Sequence, residues 1–114
     1  MTAKIYHNAR CGKSREAVTY LSEKGIPAEI IEYMKDPLTY DALDQLLQLL
    51  EMSPIDVIRT QEPEWKEHFA AHELEDEELI YAMIEYPKLM QRPIVVIGGK
   101  GLIARPVEVI ATLL

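Results

Sequence analysis

The chain has 114 residues, 48% apolar and 27% charged. That balance fits one folded domain and excludes a disordered segment. Cys11 is the only cysteine, which excludes a disulfide-stapled secreted scaffold. No apolar run approaches the roughly 18–20 residues that span a bilayer, and the opening MTAKIYHNAR lacks the apolar core of a signal peptide. A cytoplasmic location is expected. The net charge of −7 disfavours a general nucleic-acid binder. Residues 62–85 carry nine acids and one base, whereas residues 1–24 carry five bases and two acids, a local +3 around Cys11. That clustering fits either solvated surface charge or local attraction of a small anion.

Along the chain, Ala3–His7 predicts a short strand, with Ile5 and Tyr6 supplying β-propensity. A tight connection, Asn8 to Gly12, follows. Lys13 to Lys24 is helical in pattern, with Ala17, Val18 and Leu21 on one face and Gly25 as the stop. Ala28 to Tyr33 predicts a second strand, and the unit so formed is a parallel βαβ. Thr39 caps a helix running to about Glu51, whose Leu43, Leu46, Leu47 and Leu50 make one buried face. Pro54 opens a short helix through Ile58. Pro63 interrupts residues 60–75, where Trp65, His68 and Phe69 suggest a packed turn or short helix, with Trp65 as a packing anchor. Asp76 to Tyr86 is helical, its first-turn acids matched to the helix dipole, and Pro87 ends it.

Ile94 to Ile97 is a continuous apolar run, the mark of a central strand. Gly98-Gly99-Lys100-Gly101 signals a hairpin, with Leu102 to Ala104 as the returning strand. Pro106 opens a last helix bearing Val107, Ile110, Leu113 and Leu114. The order is βαβ, then helices, then ββα. It predicts an α/β, thioredoxin-like fold: a single domain, residues 1–114, with a four-stranded mixed sheet and an all-helical insertion at about 37–88.

Cys11 falls between a strand end and a helix start, where unpaired N–H groups and the helix dipole favour a thiolate. Arg10, Lys13 and Arg15 add positive potential. Such a cysteine is a nucleophile. A lone cysteine is also commonly a buried, inert one; the polar, basic and glycine neighbours favour the reactive reading. Ser14 completes Cys-x-x-Ser and can donate a hydrogen bond to the sulfur. His7 tunes the thiolate or is a satisfied strand-end histidine. Asn8 is a natural turn former. Arg59, Arg92 and Arg105 stand at element ends. Each alone reads as a salt bridge or cap; together, guanidinium forks converging on one thiolate would bind a tetrahedral oxyanion. His68 and His72 lack a third ligand, so no metal site is expected. The Cys-x5-Arg phosphatase loop is absent, since Ala17 occupies the arginine's place, and the glycines at 98–101 open no helix and so make no dinucleotide fingerprint.

The stretches YHNARCGKSR, IRTQE, RPIVV and ARP, taken together, resemble the glutaredoxin-linked arsenate reductase family (ArsC type), whose relatives include the Spx redox regulators. The resemblance spans nearly the whole chain. It implies Cys11 as catalytic nucleophile, His7 and Ser14 as thiolate-activating, and Arg59, Arg92 and Arg105 as oxyanion-binding. Asn8, Gly12 and Pro93 are supporting residues, Pro93 at the place of the thioredoxin-type cis-proline. It further implies attack of Cys11 on arsenate, then reduction of As(V) to As(III) by glutathione. Cys11 is left linked to the reducing thiol, and glutaredoxin releases it. No cofactor is held; glutathione and glutaredoxin are external reductants, and a monomer is expected. Two features depart from the pattern: Ala9 stands where the family often has proline, and the chain stops at Leu114 where longer reductases continue. Two alternatives remain at this level. One is a glutathione-dependent thiol-disulfide oxidoreductase, which needs Cys11 but not three arginines. The other is an Spx-like transcriptional regulator, which commonly uses Cys-x-x-Cys where this chain has Ser14.

Overall fold

A computed structural model describes residues 1–114. The chain forms two compact units, one of Met1–Asp36 with Arg92–Leu114 and one of Pro37–Gln91.

The first unit holds β1 (Ala3–Tyr6), α1 (Gly12–Glu23), β2 (Ala28–Ile31), β3 (Ile94–Ile97), β4 (Lys100–Ile103) and a 3-10 helix (Val107–Leu113). The sheet order is β2-β1-β3-β4. β1 pairs with β2 in parallel and with β3 antiparallel, and β3 pairs antiparallel with β4. This is the expected mixed sheet. All four residues of β3 are buried, as a continuous apolar run in an interior strand requires. β2 lies at the edge and Ile30 is 48% exposed.

β2 stops at Ile31, short of the expected Tyr33. The His7 N–H donates to the Ile31 carbonyl at 2.9 Å as the last rung. The Glu32 carbonyl then turns to accept from Lys35 and Asp36, both at 3.0 Å. α1 ends at Gly25, whose φ is 70°. There the Ile26 N–H reaches the Leu21 carbonyl and the Gly25 N–H the Ser22 carbonyl, both at 3.0 Å, a Schellman closure that glycine adopts without a Cβ penalty. Gly98 and Gly99, at φ 60° and 81°, turn β3 into β4 between the paired Ile97 and Lys100. Two successive positive φ values are the signature of a type I′ turn.

Ala3 and Ile5 point from β1 into a core with Ala17 and Leu21 of α1, Val95 and Ile97 of β3, and Ala104 and Ile110. Leu21 is fully buried, which is worth about 1.5–3 kcal/mol of transfer free energy. The last element is a 3-10 helix, where the sequence suggests an ordinary one. Its apolar residues Val107, Ile110 and Leu113 recur every third residue, which matches three residues per turn and puts them in one row.

The second unit is helical: α2 (Tyr40–Leu50), α3 (Pro54–Val57), α4 (Pro63–His68) and α5 (Asp76–Glu85), then a 3-10 turn at Pro87–Leu89. The Thr39 hydroxyl accepts the Ala42 N–H at 3.1 Å, and Leu43, Leu46, Leu47 and Leu50 are buried. Pro63 starts α4 instead of interrupting a helix, because a first-turn proline has no N–H to leave unpaired. α4 buries none of its residues. Trp65 packs on Phe69 with ring centroids 5.7 Å apart and is half-buried, so it anchors less than its size suggests. His68 stacks on Tyr86 at 5.1 Å. An antiparallel bridge joins Ile58 to Met90. The Arg59 N–H donates to Leu89 O at 2.7 Å and the Gln91 N–H to Val57 O at 2.8 Å. These bonds carry the helical unit on to Gln91, past the expected Lys88.

Candidate active site around Cys11

The sheet and α1 deliver Cys11 at one end of the first unit. Asn8 shapes the loop between β1 and α1. Its carbonyl accepts the Cys11 N–H at 2.9 Å, and its side-chain Oδ1 accepts the Arg10 N–H at 3.0 Å, an Asx turn. Its own N–H donates to the Ser14 hydroxyl oxygen at 3.3 Å. Arg15 closes the loop from the other side, with Nη1 donating to the Ala9 carbonyl at 2.9 Å. From the sequence, Arg15 offers positive potential alone; a side chain reaching back six residues to a carbonyl leaves no sequence signal.

Cys11 is the N-cap of α1, with φ −97° and ψ 122°, and its thiol is free and partly exposed. Burial pushes the Cys11 thiol up. The main-chain N–H of Ser14, the Arg92 guanidinium and the N–H of Lys13 outweigh it and hold the thiol below its ordinary pKa. Those amides favour the anion by their proximity, although the sulfur makes no directed capping bond. The cause is the one expected at a helix start: unpaired first-turn donors and a nearby cation. Ser14 is fully buried. It acts on the sulfur through its main chain, while its hydroxyl oxygen takes the Asn8 N–H.

His7 is also buried, 9% exposed. Burial holds its imidazole below the ordinary value; Glu32 opposes that, Arg15 reinforces it, and the Ser14 main chain opposes it. The parallel register that pairs Tyr6 with Ile31 brings Glu32 beside His7. Glu32 carries no obvious mark in the sequence as a partner of His7. Nδ1 of His7 is buried without a hydrogen-bond partner.

Arg92 precedes Pro93 through a cis peptide bond, and Arg105 precedes Pro106 through another. Arg92 lies near enough to the sulfur for its guanidinium to favour the thiolate. Its Nε and Nη1 are buried with no protein partner, so two donors of a planar fork are uncommitted. Arg105 is exposed and its Nη1 donates to the Arg92 carbonyl at 3.2 Å. Pro93 is buried, and its carbonyl accepts the Ala104 N–H at 2.8 Å. Gly12 opens α1 directly after the cysteine. Arg59 lies in the helical unit, after α3, with Nη1 2.7 Å from Glu62 Oε1. That contact is close but not aligned as a hydrogen bond, since Nη1 has no partner of acceptable geometry. Cys11, Ser14, Arg92 and Arg105 are therefore one neighbourhood of the first unit, and Arg59 belongs to the other unit.

A model of the ArsC family matches residues 6–113. The chain belongs to the ArsC family. Among its relatives, the uncharacterized protein YfgD of Escherichia coli is 46% identical over 107 residues, covering 92% of this chain and 90% of that protein. The arsenate reductase of Neisseria meningitidis is 35% identical over 113 residues, covering 97% of each chain. Among solved structures, an arsenate reductase from Vibrio cholerae superposes with a TM-score of 0.95 at 36% identity, covering 100% of this chain and 98% of that one. This ArsC-family chain has the thioredoxin-like fold of its structural neighbours. No helix is long and apolar enough to cross a membrane.

Proposed function

We propose that this ArsC-family protein reduces arsenate to arsenite, with Cys11 as nucleophile and glutathione and glutaredoxin as reductants. The observation that carries the reading is a single sulfur, held towards its anion by loop amides and by Arg92, whose Nε and Nη1 have no protein partner. Relatives called arsenate reductases, alike over nearly the full length, support it.

In the mechanism, the Arg92 fork receives the oxyanion, with Arg105 of the same unit as a further guanidinium group. The Cys11 thiolate attacks arsenic and hydroxide leaves, taking up a proton as water. A glutathione thiolate then attacks the Cys11 sulfur. The S–As bond breaks with its electron pair going to arsenic, which leaves as arsenite. The two thiols have lost two electrons and form the Cys11–glutathione disulfide. The chain has no second cysteine, so a thiolate of glutaredoxin attacks the glutathione sulfur and returns Cys11. Phosphate shares the shape of arsenate and competes for the fork, but a thiol does not reduce it.

The test is arsenite formation with glutathione, glutaredoxin and an excess of arsenate. Turnover that disappears in Cys11→Ser and falls steeply in Arg92→Ala is expected. No arsenite from the wild-type protein at high arsenate overturns the reading. Arsenite formation that survives Arg92→Ala and Arg105→Ala undiminished overturns the assignment of the arginines to the oxyanion, and a wild-type protein that forms no arsenite but reduces glutathione mixed disulfides is a general thiol-disulfide exchanger.

A further inference from the structure

A groove of about 500 Å³ runs along the outer face of α1 against Val107. Its floor is one stripe of that helix: Gly12, Arg15, Glu16, Thr19, Tyr20 and Glu23. These positions recur at three and four residues, so they form a single continuous face. At ~1.5 Å per residue the stripe is roughly 16 Å long, and an extended tripeptide spans roughly 10 Å. The groove starts at Gly12, the residue after Cys11.

The charges along the groove alternate in a definite order. At the Cys11 end, a Cβ placed on Gly12 would stand 3.8 Å from Arg15 Nη2. Nη1 of the same guanidinium is tied to the Ala9 carbonyl, which fixes Nη2 at the mouth. Glu16 and Glu23 follow on the same stripe, with Tyr20 between them. Beyond Tyr20, Lys24 Nζ sits 5.5 Å from the ring centroid. The sequence along the helix is thus cation, anion, aromatic, anion and cation. Glutathione presents the complement. Its glycyl carboxylate lies close to the thiol, and its γ-glutamyl end carries an ammonium and a second carboxylate farther away. Resting on the reading of Cys11 as a glutathione-coupled nucleophile, we propose that this groove binds the reductant tripeptide. Arg15 takes the glycyl carboxylate, Glu23 takes the ammonium, and Lys24 takes the distal carboxylate, while Glu16 stays paired with Lys13 at 3.7 Å. A thiol lacking those groups, such as 2-mercaptoethanol, gains nothing from the groove.

The experiment titrates S-methylglutathione, which cannot react with Cys11, into the ¹⁵N-labelled full-length protein. Saturable amide shifts confined to Gly12–Lys24 and Val107 are expected. In Thr19→Trp, which fills the exposed middle of the groove, and in Glu23→Lys, the dissociation constant rises about tenfold or more. Shifts centred elsewhere, an unchanged constant in both variants, or no saturable binding overturn the proposal. Arsenate turnover is measured in parallel. If arsenate is reduced and both variants keep the wild-type KM for glutathione, the groove assignment fails and the reductase reading stands. If S-methylglutathione fills the groove but no arsenite forms, the reductase reading fails and the groove stands.

Discussion

Replacing Ser14 by alanine removes one oxygen atom from a position with no solvent exposure. That oxygen accepts the N–H of Asn8 at 3.3 Å, somewhat beyond the usual ~2.9–3.0 Å. The bond is therefore placed in the lower part of the ~0.5–1.5 kcal/mol range for neutral pairs. The Asn8 amide is half-buried, so water partly replaces the lost acceptor. The expected loss is about 0.5 kcal/mol, or a Tm lower by roughly 2 °C for a chain of this size. The chemical effect has a definite sign. Asn8 holds the Cys11 N–H through its carbonyl, and the Ser14 and Lys13 amides lower the thiol pKa. Loosening Asn8 turns those donors away from the sulfur, so the pH profile of Cys11 alkylation moves to higher pH. Urea unfolding reads the first quantity and iodoacetamide kinetics from pH 5 to 10 the second. A variant as stable as wild type with an unmoved alkylation profile would refute the idea that Ser14 braces the loop.

Ionisation of Cys11 couples to stability. A thiol whose folded pKa lies below its unfolded one contributes stability that is fully present above the unfolded value. That contribution is lost as pH falls through the folded value. The stability of wild type relative to Cys11→Ser, measured by denaturant unfolding, therefore rises with pH between those two values and is flat on either side. Arg105→Ala leaves stability within about 1 kcal/mol, because its single bond to the Arg92 carbonyl is exposed. It raises the KM for arsenate on the order of tenfold, and Arg105→Lys does not restore it, since an ammonium lacks the planar fork. Gly99→Ala meets open space but keeps φ at 81°. The strain alone costs about 1–2 kcal/mol in thermal unfolding, without a change in Cys11 reactivity.

Local chemistry explains which features the sequence revealed. The β3 run, the Thr39 cap, the leucine face of α2 and the Gly25 stop are written in residue types whose physics acts within a few positions. The type I′ turn is equally legible, because two glycines in succession are the residues that turn demands. Edges of elements were harder: β2 ends where β1 runs out of partners, and the helical unit extends to Gln91 because Met90 pairs with Ile58. Those limits depend on residues far apart in the chain. In the site, the strand-to-helix placement of Cys11 followed from pattern. The direction of Arg15 towards Ala9, of Arg105 towards the Arg92 carbonyl, and of Ser14 Oγ towards Asn8 did not. Long side chains have several rotamers, and only the packed fold selects among them.

The central claim is that Cys11 is a thiolate nucleophile held by main-chain amides and the Arg92 guanidinium. Thiolate absorbance near 240 nm, followed against pH in wild type and Arg92→Ala, tests it most directly. The account predicts a wild-type midpoint below that of a free cysteine and a higher midpoint in Arg92→Ala. A wild-type midpoint at or above the free value, or one that the substitution leaves in place, would contradict it.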